Sequence, residues 1–272
     1  MQLLDHVVSR RGQTELERGD GCNDARMTAI YDEIGDGYAG VRRPDARIAA
    51  RVTAALGEAR TVVNVGAGTG SYEPPDRWVL PVEPSAVMRA QRPRGLAPAI
   101  DGVAERLPLD DGAVDATMAI ITIQHWPDPV LGLREMRRVS RGPVLVLTFD
   151  VKVAGDCWLL SEYLPEVHAD DSARFPPVGQ IAEALGGAAV EAIPIPGDCT
   201  DGFFHAYFTR PEAYLDPEVR RAQSAWSRLR PGVEQRAVSA LRSDLAGGAW
   251  DKRHGALRGV AEYDGGLRLI IG

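Results

Sequence analysis

Apolar and polar positions follow two rhythms along the chain, one helical and one extended. From Pro44 the run PDARIAARVTAALGEA places Ile48, Val52 and Leu56 at helical spacing, which predicts an amphipathic helix that ends near Gly57. The next run, TVVNV, is short, β-branched and followed by glycine, as expected for a buried strand. Further strands are predicted at 78–83, near 97–100, at 115–122 and at 143–149.

Helical patterns lie between these strands. The run DPVLGLREMRRVS places Val130, Leu133 and Met136 on one helical face between the fourth and fifth strands. Two more strands are expected at AAVEAIPIP and at the terminal GLRLIIG. This alternation predicts an α/β fold with a doubly wound, seven-stranded, mainly parallel sheet that is covered on both faces.

The pattern changes after Asp150. Residues 151–175 carry scattered aromatic side chains, and residues 200–258 are mostly helical in pattern, with Asp216 and Pro217 suited to an N-cap and first turn. We expect both segments to form a helical cap over the ligand edge of the sheet, within a single domain at 26–272. Residues 1–25 are polar without sustained periodicity and are expected to form a loose arm.

Composition narrows the classes of function. With 272 residues and 44% hydrophobic content, the chain can bury one sizeable core. A net charge of −7 argues against a nucleic-acid or membrane-surface partner, and neither a membrane span nor a secretory signal is visible, so we expect a cytoplasmic protein, monomeric or homodimeric. Three distant cysteines without CxxC spacing predict neither disulfides nor a metal site.

The stretch TVVNVGAGTGSYEP contains a glycine loop directly after the first strand. Such a loop presents backbone N–H groups and lets a ligand approach the main chain closely. Gly66, Gly68 and Gly70 form G-x-G-x-G, whereas a dinucleotide site needs G-x-G-x-x-G and a P-loop needs a following Gly-Lys-Ser/Thr. Both phosphate-binding interpretations, including an NAD-dependent oxidoreductase, are therefore disfavoured.

Glu83 ends the second predicted strand. A carboxylate at that position can accept hydrogen bonds from both hydroxyls of a ribose. The site is thus suited to a nucleoside without a pyrophosphate. S-adenosylmethionine (SAM) meets this description, because its amino-acid tail can lie against the glycine loop.

Four segments together resemble the class I SAM-dependent methyltransferases, in the subgroup of small-molecule enzymes of the ubiquinone-biosynthesis and trans-aconitate type. They are VVNVGAGTGSYEP, VEPS, AERLPLDDGAVDATMAIITIQHWPD and GLREMRRVSRGPVLVLTFD. The resemblance implies a Rossmann-like fold, SAM as methyl donor and S-adenosylhomocysteine as product. It implies methyl transfer to an O, N or C atom of a small organic acceptor, with secondary metabolites among the candidates.

The resemblance assigns Gly66, Ala67, Gly68 and Gly70 to the methionine part of SAM. Asn64 stands where relatives often have Asp near the SAM ammonium, so that water or carbonyl groups would serve there. The resemblance also implies that Glu83 binds the ribose and that Ser85 lies beside the adenosine. Ala104 and Glu105 would meet the adenine edge, and Ile121 with Thr122 would close over the cofactor. Tyr38 and Arg43 would lie near the SAM carboxylate.

Two histidines are candidate catalytic residues. His125, in IQHWPD, follows the fourth strand and is a candidate general base, and His205, in DGFFHAYF, is a second. Packing and capping roles are the favoured interpretation of both histidines. The cap aromatics Trp158, Tyr163, Phe203, Phe204, Tyr207 and Phe208 are explained equally well as the lining of an acceptor pocket or as core. Because no catalytic residue is assured, a SAM-binding protein that catalyses a non-methylating rearrangement or cyclisation, or serves as a noncatalytic partner, stays open as an alternative.

Overall fold

The structure is a computed structural model that describes residues 42–272. Within these residues the main sheet has six strands in the order β2-β1-β3-β4-β8-β5, and β6 pairs with β7 in a separate two-stranded ribbon. The strands are β1 Thr61–Val65, β2 Trp78–Val82, β3 Ala116–Ile120, β4 Val144–Phe149, β5 Ala189–Ala192, β6 Ile195–Pro196, β7 Glu262–Tyr263 and β8 Leu267–Ile271.

The sheet confirms the predicted α/β class with one difference in strand number. Strands β1 to β4 are parallel, while β8 runs antiparallel to both β4 and β5. The segment predicted as a third strand contributes only one bridge, in which Ile100 pairs with Val82. Pro98 cannot donate a backbone hydrogen bond, which limits this pairing to the Ile100 N–H and C=O groups, bonded to Pro81 and Glu83.

Helices cover both faces of the sheet and extend beyond its carboxyl edge. Within residues 42–272, none is long and apolar enough to cross a membrane. The α-helices are α1 Ala46–Ala55, α2 Ala86–Ala90, α3 Pro129–Val139, α4 Val151–Ala154, α5 Pro165–Arg174, α6 Val178–Ala184, α7 Pro217–Arg221, α8 Ser224–Ser227, α9 Val233–Ala246 and α10 Ala249–His254, with a π-helical turn at Leu159–Tyr163 and 3-10 turns at Ile123–His125, Pro211–Leu215 and Gly255–Gly259.

The helix ends follow from side chains that cap them. Asp45 accepts a hydrogen bond from the Arg47 N–H at the start of α1. Asp128 does the same for the Leu131 N–H at the start of α3, where Pro129 occupies the first turn. These contacts satisfy N–H groups that a helix leaves unpaired, so the predicted helix starts near Pro44 and Asp128 have a local cause.

The core has a layer on each face of the sheet and a third cluster in the cap. Successive residues of β4 alternate between the two layers, with Leu145 and Leu147 in one and Val144 and Val146 in the other. A separate cluster, which we call the cap core, joins the π-helical turn, α5 and α9 through buried aromatic and aliphatic side chains. The predicted arm at 1–25 lies outside the described residues, and the single-domain assignment for 26–272 stays a prediction.

Candidate cofactor and acceptor site

The glycine loop begins where β1 ends, at the carboxyl edge of the parallel strands. The N–H groups of Gly66 and Ala67 both donate to the Val82 carbonyl of β2, at 2.9 and 3.0 Å. Gly66 has a φ of 67°, and a Cβ atom there would lie 2.2 Å from the Thr122 Oγ1. The loop therefore packs directly on the turn that follows β3, and only glycine fits at this contact.

Glu83 follows β2, and its side chain hydrogen-bonds the glycine loop. Its carboxylate is buried, with Oε2 accepting from the Gly68 N–H at 2.8 Å and Oε1 accepting from the Ser85 N–H at 2.9 Å. Burial raises the pKa of Glu83, and these two N–H groups oppose the shift. Since a carboxylate oxygen has about two acceptor positions, each oxygen retains one for a ligand hydroxyl.

A buried ion pair supports the loop from the other side. Arg92 Nη2 lies 2.7 Å from Glu73 Oε2, with both side chains 3% exposed, and Arg92 Nη1 donates to the Gly68 carbonyl. Glu73 Oε1 also accepts from Asn64 Nδ2 at 3.0 Å. The sequence analysis did not predict that Glu73 supports the loop, although an acidic residue at the end of GSYE indicated a partner for a nearby cation.

Asn64 keeps one open hydrogen-bonding position. Its side chain is buried at the end of β1, and among residues 42–272 its Oδ1 has no hydrogen-bond partner. An amide oxygen with an open position suits an ammonium donor. Asn64 Oδ1 can thus accept a hydrogen bond from the SAM ammonium, for which the sequence analysis expected only water or carbonyl groups.

The residues predicted at the adenine side lie between the end of β2 and α3. Ser85 accepts from the Met88 N–H and begins α2. Ala104 is buried, whereas the Glu105 Oε1 accepts from the Asp128 N–H at the start of α3. The Glu105 side chain is therefore engaged by the protein, and only its backbone groups are available to hydrogen-bond an adenine edge.

Ile121 lies between the glycine loop and a larger cavity. It has a φ of 49°, an uncommon conformation for a β-branched residue, and its N–H donates to the Leu147 carbonyl at 2.7 Å. Strained backbone of this kind is typical of ligand sites. Thr122 touches the glycine loop, and Ile121 lines the cavity on the other side.

The cavity, about 670 Å³ including its mouth, lies at the carboxyl ends of β3 and β4. Its apolar wall is formed by Ile121, Phe149, Leu160, Phe175, Phe203 and Phe204. Its polar wall is formed by Arg42, Gln124, His125, His168, Asp171, Arg174, His205, Gln223, Ser224 and Arg228. Of the predicted pocket aromatics, Phe203 and Phe204 are in the lining, while Trp158 and Tyr163 pack in the cap core.

His125 lies in the polar wall next to a guanidinium. Arg174 Nη2 lies 3.0 Å from His125 Nδ1, and Gln124 Nε2 lies 3.2 Å from His125 Nε2, so a hydrogen-bond donor faces each ring nitrogen. Burial lowers the pKa of His125 to about 3, and Arg174 and Arg228 act in the same direction. His125 is thus neutral at pH 7, with its two ring nitrogens facing Arg174 and Gln124.

His205 lies between two aromatic rings in the same wall. Its ring centroid is 5.1 Å from that of Phe149 and 5.4 Å from that of Phe204. Neither ring nitrogen makes a hydrogen bond of good geometry within residues 42–272, although the Ala154 backbone lies close enough to favour the protonated ring. Burial lowers the pKa of His205 to about 4, against a smaller opposite effect of the Ala154 backbone.

Ion pairs join two helical segments that line the cavity. Arg228, after α8, contacts Asp170 at 2.8 Å and Asp171 at 3.1 Å, both on α5. Burial raises the pKa of Asp171 to about 6, although Arg228 opposes the shift. These contacts join α5 to the α8 region across the cavity.

Arg42, the neighbour of the predicted Arg43, is held by a buried carboxylate. Arg42 lines the cavity and donates from Nε to the fully buried Asp201 at 2.6 Å. The same carboxylate accepts from the Tyr72 hydroxyl at 2.8 Å, directly after the glycine loop. Arg43 is exposed instead, and Tyr38 lies outside the described residues.

Comparisons with known proteins agree with this arrangement. A family model described as a methyltransferase domain matches residues 63–146. The crystal structure of a methyltransferase described as belonging to an antibiotic biosynthesis pathway of Anabaena variabilis is 31% identical, with a TM-score of 0.79, and the match covers 85% of this chain and 98% of that one.

Curated relatives match over shorter stretches. A chloroplastic 2-methyl-6-phytyl-1,4-hydroquinone methyltransferase of Spinacia oleracea is 31% identical over 117 residues, or 36% of this chain and 34% of that protein. A demethylmenaquinone methyltransferase of Mycolicibacterium gilvum is 32% identical over 115 residues, or 40% of this chain and 50% of that protein. The matched region thus spans between a third and a half of these relatives.

Proposed function

Because the chain belongs to the class I SAM-dependent methyltransferases, we propose that it transfers the methyl group of SAM to an O, N or C atom of a small organic acceptor. One observation carries the proposal: the glycine loop touches Thr122, and the adjacent Ile121 lines the cavity. A cofactor on the loop and an acceptor in the cavity would meet across this turn. The antibiotic pathway named for the Anabaena variabilis relative supports a search among secondary metabolites.

The residues of the loop fit SAM by the chemistry of their open positions. Glu83 offers two acceptor positions for two ribose hydroxyls, and Asn64 Oδ1 offers one for an ammonium. Gly66 to Gly70 bring backbone close to the amino-acid tail. SAM itself supplies a methyl group already activated towards nucleophilic displacement.

The residues of the cavity act by positioning the acceptor. With pKa values lowered to about 3 and about 4, His125 and His205 are both neutral at pH 7 and are weak bases. We propose that His205 orients the acceptor through its ring, and that His125, held between Arg174 and Gln124, shapes the polar lining. Alignment and exclusion of water are then the main contributions of the protein to the rate.

A non-methylating reaction on the same scaffold is the second candidate. The low proton affinity of both cavity histidines favours it, because an acceptor that must lose a proton finds no strong base among them. This candidate still requires SAM on the loop. It differs in leaving the methyl group in place.

Formation of S-adenosylhomocysteine tests the proposal and separates the two candidates. The full chain is incubated with SAM and a panel of phenols, amines, carboxylic acids and enolisable ketones, and the product is quantified by mass spectrometry. We expect acceptor-dependent S-adenosylhomocysteine. Tight SAM binding without this product for any acceptor would favour the non-methylating candidate.

A further inference from the structure

The His205 imidazole is a buried polar group in the wall of the cavity. It is 4% exposed, and neither ring nitrogen makes a hydrogen bond of good geometry within the described part of the chain. The ring lies between Phe149 and Phe204, whose side chains carry no hydrogen-bonding group. Buried polar atoms are nearly always paired, so a molecule that enters the cavity is expected to supply the missing partner.

The nearby main chain distinguishes the two nitrogens of this ring. The Ala154 backbone opposes the lowering of the His205 pKa by burial, and a contact that favours the protonated ring comes from a hydrogen-bond acceptor, here the Ala154 carbonyl. That carbonyl also accepts from the Cys157 N–H at 3.2 Å, which sets its direction. In a neutral imidazole the N–H then lies towards Ala154, and the other nitrogen carries a lone pair. His205 is therefore suited to a ligand that donates a hydrogen bond.

The segment that carries His205 is tied to the end of the glycine loop. Asp201, which begins this segment, accepts from the hydroxyl of Tyr72, just after the loop, at 2.8 Å. On the cap side, Gln223 Nε2 donates to the Gly202 carbonyl at 3.0 Å. These contacts hold the imidazole on the side of the cavity that is joined to the loop, where a methyl group carried by the loop would enter.

A hydrogen-bond donor at this position can also be the methyl acceptor. A hydroxyl oxygen or a weakly basic nitrogen that donates its hydrogen to His205 keeps a lone pair for the methyl group, whereas a C–H group is a poor donor. We propose that the atom that receives the methyl group is an oxygen or a nitrogen with one hydrogen, and that His205 binds this hydrogen and so distinguishes the acceptor from its methylated product. The inference rests on the proposed methyl transfer.

The transfer then balances without a strong base. A lone pair of the acceptor atom forms the bond to the methyl carbon, and the carbon–sulfur bond breaks with its electrons left on sulfur. The methylated atom is cationic and strongly acidic while it keeps its hydrogen, so the proton moves to the His205 lone pair. The imidazolium releases it to water, because its pKa of about 4 lies well below pH 7. The product has lost the hydrogen that His205 binds.

Binding of indole and its methyl derivatives tests this discrimination without turnover. Indole has one N–H donor, 1-methylindole lacks it, and 3-methylindole keeps it while adding the same group. Each is titrated by calorimetry at pH 7 into the full chain saturated with S-adenosylhomocysteine. We expect 3-methylindole to bind within about twofold of indole and 1-methylindole about 3- to 10-fold more weakly, the equivalent of one neutral hydrogen bond. Equal binding of indole and 1-methylindole overturns the inference.

The variant His205→Phe assigns the preference to the imidazole. It keeps a ring but removes both nitrogens, so indole and 1-methylindole are expected to bind within about twofold of each other. His254→Phe is the matched control, because His254 lies outside the cavity lining and contacts Glu162, and it should keep the preference. Survival of the preference in His205→Phe would show that another group accepts the N–H, and the inference would be wrong.

Nitrogen NMR of the wild-type protein with labelled histidine gives a second readout, which holds even if His205→Phe does not fold. A hydrogen bond to the lone pair of an imidazole changes the resonance of that nitrogen. We expect indole to shift one ring nitrogen of His205 and 1-methylindole to leave it in place. Shifts of equal size with both probes would contradict the assignment.

The outcomes separate this inference from the proposed function. Lack of S-adenosylhomocysteine binding would contradict the proposed function before any probe is added. Methyl transfer to a carbon atom of the acceptor, with normal cofactor binding, would contradict only the role given to His205.

Discussion

The glycine loop and the cavity are built in different ways, although they meet at Ile121. The loop and its supports come from residues 64–92 and the turn at 121–122, and short backbone contacts such as Gly66 to Val82 hold them. The cavity draws on residues from Arg42 to Arg228, joined by long-range ion pairs and aromatic packing. The proposed methyl-donor side is therefore encoded locally, whereas the proposed acceptor side depends on how distant segments pack.

The two regions also differ in how they treat charge. Under the loop, one buried ion pair between Arg92 and Glu73 is shielded on all sides, and its partners also hold Gly68 and Asn64. Around the cavity, Arg228 and its aspartates are partly exposed and bridge two cap elements. We expect changes under the loop to cost folding stability, and changes in the cavity to alter ligand choice.

The largest effect is expected at the buried pair. Glu73→Ala leaves Arg92 uncompensated, and breaking a buried ion pair typically costs about 3–5 kcal/mol. The control Glu218→Ala breaks an exposed pair with Arg221, whose side chains are 58% and 54% exposed, and should cost under about 0.5 kcal/mol. Urea unfolding measures both, and similar losses would show that the loop does not depend on its buried pair.

A smaller effect is expected at the contact between the loop and the β3 turn. Gly66→Ala introduces a Cβ atom 2.2 Å from Thr122 Oγ1 at a left-handed position, for a combined cost of about 2–4 kcal/mol. Gly57→Ala carries similar backbone strain, but nothing lies within 4 Å of its Cβ atom. Calorimetry should show that Gly66→Ala loses SAM affinity and that Gly57→Ala keeps it. Equal affinities of the two variants would show that the loop does not bind SAM.

The hydrogen bond from Tyr72 to Asp201 links the glycine loop to the cavity residue Arg42. Tyr72→Phe removes a hydrogen bond to the fully buried Asp201, at an expected cost of about 1.5–3 kcal/mol for a charged acceptor. Tyr163→Phe is the matched control, because Tyr163 bonds Asp244, which is 32% exposed. Thermal unfolding should show the larger loss for Tyr72→Phe, and the reverse order would indicate that Asp201 relies on Arg42 alone.

The acid dependence of stability tests the environment of His205. The unfolded histidine has a pKa near 6.5 and the folded one about 4, so the unfolded state binds the extra proton as pH falls between these values. Stability is therefore complete above pH 6.5 and declines towards pH 4, with a loss of about 2 kcal/mol at pH 5. His205→Phe should lack this part of the decline in unfolding measured at pH 7 and pH 5, and parallel curves would contradict a buried neutral imidazole.

Local features of the fold were predictable from short patterns. The strand before the glycine loop, the position of Glu83 and the helix starting at Pro129 all follow from signals within a few residues. The predicted third strand was wrong because Pro98 limits it to one bridge at Ile100. The predicted seven-stranded sheet thus has six strands in the described residues.

The cavity was only partly predictable, because its contacts span the chain. Phe203 and Phe204 were candidates by composition, but nothing in the sequence distinguished them from Trp158, which packs in the cap core. The pairing of Arg174 with His125 joins residues separated by 49 positions. Arg42 lines the cavity where its bridge with Asp201 sets the backbone orientation, whereas Arg43 is exposed.

Calorimetric titration of SAM into the wild-type protein and Glu83→Ala tests the central claim most directly. We expect the wild type to bind SAM and Glu83→Ala to lose about 1.5–3 kcal/mol, the cost of hydrogen bonds to a charged group. The exposed Glu58→Ala is the control and should bind as the wild type does. Absence of SAM binding at millimolar concentration, or unchanged affinity in Glu83→Ala, would contradict the assignment of this loop and carboxylate to the methyl donor.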